Sequence, residues 1–254
     1  MAQSNQAVYR AHKGSKQVII FIHGISEGPK QFEKMAQIAY EQGFSTYCLL
    51  LPGHGRESKV LAKTSYKQWL EYVSWETESL LEQYNRVIFV GHSMGTLLAI
   101  CEASVRKEKV KALFLIDPPI KVHLWPRVIK SGIDIQRGKI KRDERYTVAE
   151  YHALNIGRLS LTSWVGVLRR YSEFFSIKYY TKKQIPKLKL PIFLVFADKD
   201  EFVNLKSRIY FRQCKGCRFQ IQLKDSGHFC YHHSDLIELR RFYEIFLKYV
   251  QKQP

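Results

Sequence analysis

Long apolar runs are missing from this 254-residue chain. Runs such as Val18 to Ile22 and Cys48 to Leu51 fall far short of the roughly 20 residues a membrane-spanning helix needs, so no crossing of a bilayer is expected. No Pro-, Gly- or Ser-rich linker, low-complexity tract or internal repeat divides the sequence, which points to a single domain. The stretch Met1 to Gln17 holds neither the apolar core of an export signal nor an Arg/Ser-rich presequence, and a cytoplasmic location is the expectation. Cysteine is scarce and odd in number: Cys48, Cys101, Cys214, Cys217 and Cys230 read as reduced thiols rather than a disulfide framework. Cys214 and Cys217 form a C-x-x-C without the second ligand pair of a structural zinc site. His228, Cys230, His232 and His233 follow it, but plain thiols and no metal are expected.

Acidic residues are also few, 23 against 41 Lys and Arg, for a net charge of +18. Such an excess invites nucleic acid or an anionic surface as partner, so its location matters. The segment Pro119 to Leu190 holds 16 Lys and Arg against 5 Asp and Glu. Within it, Ile156 to Tyr180 interleaves Trp164, Tyr171, Phe174, Phe175, Tyr179 and Tyr180 with Arg158, Arg169, Arg170 and Lys178. That mixture suits peripheral contact with an anionic membrane; it equally describes a helix packed on a core with its basic residues in water. Charge gathered in one segment, with no DNA- or RNA-binding motif, argues against nucleic acid.

What is present is a regular alternation of strand and helix. The β-branched run Gln17 to Ile22 opens into His23-Gly24, as a buried parallel strand does. Pro29 suits the first position of a helix that Gly43 closes. Ser45 to Leu51 reads as the next strand, running into the turn Pro52-Gly53-His54-Gly55. Ser65 to Tyr84 has helical spacing, with Ser65 and Gln68 as a capping box. Strand Arg86 to Val90 and a helix through Val105 follow. Then come strands at Val110 to Ile116, Pro191 to Phe196 and Arg218 to Leu223, a helix near Asn204 to Arg212, and a last helix from Asp235 to Tyr249. This order predicts an α/β fold with a mainly parallel sheet covered on both faces and functional loops at the strand C-terminal ends.

Between strand and helix, Gly91-His92-Ser93-Met94-Gly95 fits G-x-S-x-G. Glycines there relieve a cramped turn that lifts the serine hydroxyl above the sheet, at a helix N-terminus whose free N–H groups suit an oxyanion. A neutral serine needs a base and a group to orient it. Asp200, in Ala197-Asp198-Lys199-Asp200, and His228, in Asp225-Ser226-Gly227-His228, each follow a strand and complete the order Ser93, Asp200, His228. Asp198 and Asp117 are rival acids at strand ends, and Asp225 reads as a loop or surface residue. His23, His54 and His92 lie beside the site as loop-shaping residues; Tyr231, His232 and His233 read as cap or surface.

With Phe21-Ile22-His23-Gly24, Leu51-Pro52-Gly53-His54-Gly55, Ala197 to Val203 and Gly227-His228, these motifs resemble the α/β-hydrolase superfamily, in its serine esterase, monoacylglycerol lipase and lysophospholipase branch. The resemblance spans nearly the whole chain. It implies an α/β-hydrolase core at 1–118 and 191–254 with a helical, basic cap at 119–190 inserted between two late strands. It implies an oxyanion hole from the backbone N–H groups of Ile25 and Met94. It also implies a serine hydrolase that cleaves carboxylic esters through an acyl-enzyme, needs no cofactor, and takes a small-molecule ester with an apolar acyl chain. Thioesterase, acyltransferase, proline-iminopeptidase-like and C–C bond hydrolase activities share the same triad, and a ligand-binding pseudo-hydrolase is the non-enzyme alternative. Oligomeric state is not legible.

Overall fold

The computed structural model describes residues 6–55, 58–123, 130, 133–135 and 161–253. Seven strands form one sheet in the order β1-β3-β2-β4-β5-β6-β7. They are β1 (Val8–Arg10), β2 (Gln17–Ile22), β3 (Ser45–Cys48), β4 (Arg86–His92), β5 (Val110–Ile116), β6 (Ile192–Ala197) and β7 (Cys217–Leu223). Only β1 runs antiparallel to its neighbour; every other pairing is parallel. The described α-helices of at least six residues are α1 (Glu33–Glu41), α2 (Ser58–Lys63), α3 (Tyr66–Leu81), α4 (Met94–Val105), α5 (Leu161–Gln184) and α6 (His233–Lys252). No described helix is long and apolar enough to cross a membrane.

The near-continuous apolar strands are explained by burial on both faces. Successive side chains of a strand point to opposite sides, and the core divides by that parity. Ile19, Phe21, Ile88, Val90, Phe114, Phe193 and Val195 pack with Phe242, Tyr243 and Phe246 of α6 and Ala36 and Ala39 of α1. Val18, Ile20, Ile22, Val87, Phe89, Leu113 and Leu194 pack with Trp69 and Val73 of α3 and Leu97, Leu98 and Cys101 of α4. Among the first set, Phe114 and Phe193 each meet Phe242 and Phe246 at ring separations of 5.1–5.6 Å.

Local chemistry sets the ends of these elements. Ser65 accepts from the Gln68 backbone N–H while Gln68 accepts from the Ser65 N–H, so the expected capping box at the start of α3 is formed. Pro29 opens a 3₁₀ turn, Pro29–Phe32, ahead of α1, and Gly43 follows α1 with φ 91°. β3 stops at Cys48, short of the expected Leu51, because the Leu51 N–H turns away to the His23 Nε2 (3.1 Å). The segment near Asn204 to Arg212 is a 3₁₀ helix, Leu205–Phe211, capped by the Asn204 side chain. α6 runs longer at both ends than its apolar pattern indicated.

Between β5 and β6 the main described element is α5, which packs on α2, α3 and α4. Its Val167, Phe174 and Ile177 are buried. Val165, Leu168, Phe175 and Tyr179 face outward, with Lys178 over Phe175 and Lys183 over Tyr179. The basic residues are not all solvated: Arg170 is buried and paired with Glu173 (2.8 Å). Residues 124–129, 131–132 and 136–160 of the expected insert lie outside the described residues.

Candidate active site

At the end of β4 the chain turns directly into α4, and Ser93 sits in the turn with φ 50° and ψ −124°. A non-glycine residue in that region stores about 1–3 kcal/mol of strain and persists only where its surroundings impose it. Here the packing of the turn imposes it, and the glycines leave room for it. A Cβ on Gly91 would lie 2.7 Å from the Thr96 nitrogen and 2.8 Å from Gly95, and one on Gly95 would lie 1.9 Å from the Ile22 carbonyl oxygen. The Ser93 N–H donates to the Ile116 carbonyl (3.0 Å), and the Thr96 N–H and hydroxyl donate to the Ser93 carbonyl (3.0 and 2.7 Å). β2, β5 and α4 therefore clamp the turn. Among the described residues the N–H groups of Ile25 and Met94 make no hydrogen bond.

Asp200 lies in the turn after β6 and His228 in the loop after β7, and both are buried. His228 Nδ1 stands 2.7 Å from Asp200 Oδ2. The other Asp200 oxygen accepts the N–H groups of Phe202 and Val203 (2.7 and 2.6 Å), so the carboxylate is fixed on both sides. The His228 N–H donates to Glu201 (3.0 Å). The His228 ring lies 4.7 Å from that of His92, the residue before Ser93. Ser93 and His228 make no hydrogen bond to each other; such bonds often form only with substrate in place.

The rival acids separate cleanly. Asp198 is exposed and accepts from Gln222 (2.7 Å). Asp117 is close to Asp200 and His228, but its Oδ1 accepts the Ala197 N–H (2.8 Å) and its buried Oδ2 has no partner among the described residues. Burial, and then the neighbouring Asp200, push the Asp117 carboxyl well above the usual range. Asp225 pairs with Lys199 at the surface.

Sequence reasoning missed Glu27. It is buried, and its Oε2 accepts from the Gly24 N–H (2.7 Å), Gln31 Nε2 (2.7 Å) and His92 Nδ1 (2.9 Å). Its Oε1 lies 3.8 Å from His228 Nε2. Burial alone would raise this carboxyl, but His92, and then His228, hold it down at about 2. The available signal was an acid set among glycines in the loop that follows His23-Gly24. His92 is thereby a partner of Glu27 and not simply a loop-shaping residue. His23 and His54 do shape loops. His23 spans the Gly24 carbonyl and the Leu51 N–H, and His54 Nε2 accepts the Ser26 N–H (3.0 Å). Burial holds them neutral, at about 4 and about 3. Tyr231, expected at the cap or surface, is half-buried, and burial and then Asp117, Asp200 and Glu27 push its hydroxyl up.

Two groups of described side chains are close enough to share an ion, Glu27 with His92 and His228, and Asp117 with Asp200 and His228. Glu27 Oε2, His92 Nδ1, Asp200 and His228 Nδ1 are already joined by hydrogen bonds, so both groups read as charge clusters. Cys214 and Cys217 belong to neither. Cys214 donates to the Leu188 carbonyl (3.5 Å), and burial raises both thiols.

Comparison with known proteins agrees with this fold. A Mycoplasma genitalium protein named as an esterase/lipase is 28% identical over 214 residues, covering 77% of this chain and 73% of the relative. A Mycoplasma pneumoniae protein named likewise is 29% identical over 100 residues, 39% of this chain and 37% of that relative; this match spans little more than a third of its length. Among solved structures, a metagenome-derived lipolytic enzyme superimposes with a TM-score of 0.74 at 16% identity, covering 98% of both chains. Paleococcus ferrophilus monoacylglycerol lipase does so with a TM-score of 0.68 at 19% identity, covering 96% of this chain and 98% of the other. The model of the alpha/beta hydrolase family matches residues 19–239, and the chain belongs to that family.

Proposed function

We propose that this chain is a serine hydrolase that cleaves carboxylic esters, with Ser93 as nucleophile, His228 as general base and acid, and Asp200 as the residue that orients the imidazole. The observation that carries the reading is the buried 2.7 Å Asp200–His228 hydrogen bond, with its imidazole 4.7 Å from the ring of His92, the neighbour of a serine held on a strained strand-to-helix turn. Ser93 Oγ attacks the ester carbonyl as its proton passes to His228 Nε2. The tetrahedral oxyanion is met by the N–H groups of Ile25 and Met94, where loss of one donor costs about 3–4 kcal/mol of barrier. His228 then protonates the departing alcohol, and water, deprotonated by the same imidazole, releases the acid from Ser93.

The esterase/lipase names of the relatives support an ester as substrate. A carboxylesterase or monoacylglycerol-lipase-like preference follows from the apolar content of the insert at 119–190, proposed as a cap over the acyl pocket. There each buried CH₂ contributes about 0.8 kcal/mol. The outward aromatic and Lys face of α5 suits contact with anionic lipid. A fluorophosphonate probe tests the chemistry: wild-type protein is expected to be labelled at Ser93, and Ser93→Ala to be silent. Equal labelling of the two sinks the reading. A p-nitrophenyl ester series of rising acyl length then separates small-ester from lipase-like preference.

A further inference from the structure

Glu27 is a buried, charged carboxylate that the chemistry above does not use. Its Oε2 is anchored by three donors from three places in the chain, Gly24, Gln31 and His92. The carboxylate plane is thus fixed, and Oε1 is left facing His228 Nε2 at 3.8 Å, without a hydrogen bond of its own among the described residues. A Cβ on Gly24 would lie 2.5 Å from Oε1, so the glycine makes room for this placement. Nε2 is the atom that must be free of its proton to accept the Ser93 hydroxyl hydrogen. His228 thus stands between two carboxylates, Asp200 on Nδ1 and Glu27 beside Nε2.

We propose that Glu27 is a positioning residue for His228: its Oε1 pairs with the Nε2–H of the imidazolium and holds the ring off Ser93 until that proton leaves to solvent. This rests on the Ser93–His228–Asp200 reading. The titratable groups around His228 come from several loops. Asp200 and Glu201 lie after β6, Glu27 after β2, Asp117 at the end of β5, His92 at the end of β4 and Tyr231 in its own loop. The rings of Phe202 and Phe229 complete the surroundings. Burial opposes the cation, but Asp200, then Glu27 and Asp117, outweigh it and raise His228 to about 9. The resting site is then an ion pair, and the base form is the minor one at neutral pH.

The test is the rate of fluorophosphonate labelling between pH 5 and 10, for wild type and Glu27→Gln. The Gln carbonyl keeps an acceptor for Gly24, Gln31 and His92, while its amide can donate to a neutral Nε2. Wild-type labelling is expected to rise with a midpoint near pH 9. In Glu27→Gln that midpoint is expected to fall by at least one pH unit, which makes the base form about tenfold more abundant at pH 7. An unchanged or raised midpoint overturns the proposal. Absence of labelling at every pH fails the serine-hydrolase reading instead. The Glu27 pairing is then judged by the ring ¹⁵N signals of His228, assigned against His228→Asn. A protonated wild-type ring at pH 7.5 that turns neutral in Glu27→Gln supports the pairing, and a neutral wild-type ring at that pH overturns it. Should Glu27→Gln fail to fold, the wild-type ring signal alone decides in the same way.

Discussion

The two sides of the cleft are built by different forces. On the β4–α4 side the constraint is steric: Gly91 and Gly95 have backbone atoms within 2.8 Å of where a Cβ would stand, and Ser93 takes the strained conformation they permit. On the side of the loops after β2, β5, β6 and β7 it is electrostatic. Glu27, Asp117, Asp200 and Glu201 are all buried around one imidazole. The first side tolerates no added atom and is indifferent to charge; the second tolerates changes of shape better than changes of charge.

The largest effect should come from altering charge without shape on the electrostatic side. Asp200→Asn keeps the acceptor for Phe202 and Val203 but presents an amide to His228, which favours the wrong tautomer; a loss on the order of 10⁴ in kcat is expected. Thermal unfolding should move little by comparison. Asp198→Asn, at an exposed site, should leave ester turnover within about twofold. If the two variants trade places, the acid has been assigned to the wrong residue and the comparison breaks with it. On the steric side, Gly95→Ala sets a methyl 1.9 Å from the Ile22 carbonyl oxygen, between a central strand and a helix that cannot separate. A loss of about 3 kcal/mol or more is expected, read as a lowered urea midpoint. Full stability in that variant would mean the turn is looser than its contacts indicate.

The same contrast explains what could be read from the sequence. The serine turn is spelled within five consecutive residues, because the clashes it relieves are between near neighbours. The Ser65–Gln68 cap is equally local. That the sheet is covered on both faces was legible as well, because the central strands β2, β4, β5 and β6 carry near-continuous apolar side chains. Glu27 was not legible, because its meaning lies in His92 and His228, which only the parallel sheet brings alongside. β3 looked longer than it is because Leu49 to Leu51 continues its apolar run, and only the distant His23 ring removes the Leu51 N–H from the ladder. Arg170 reads in sequence as one more cation of a solvated face. Its burial depends on how α5 lies against α2 and α4, which helical spacing alone does not specify.

The smallest effect discriminates most finely among the carboxyls around His228. Asp117 has φ 49°, a conformation that Asn also tolerates. Its Oδ1 accepts the Ala197 N–H, a bond that the Asn carbonyl can keep. Burial, and then Asp200, push its carboxyl well above the ordinary range. Asp117→Asn therefore removes a charge that its surroundings already disfavour. Ester turnover is expected to change less than about threefold, and the labelling midpoint of Ser93 by less than half a pH unit. Glu27→Gln, which removes a full charge at Nε2, is expected to shift that midpoint by a whole unit or more. Equal shifts in the two variants would mean that His228 responds to the summed charge of the pocket and not to the particular carboxylate that faces Nε2.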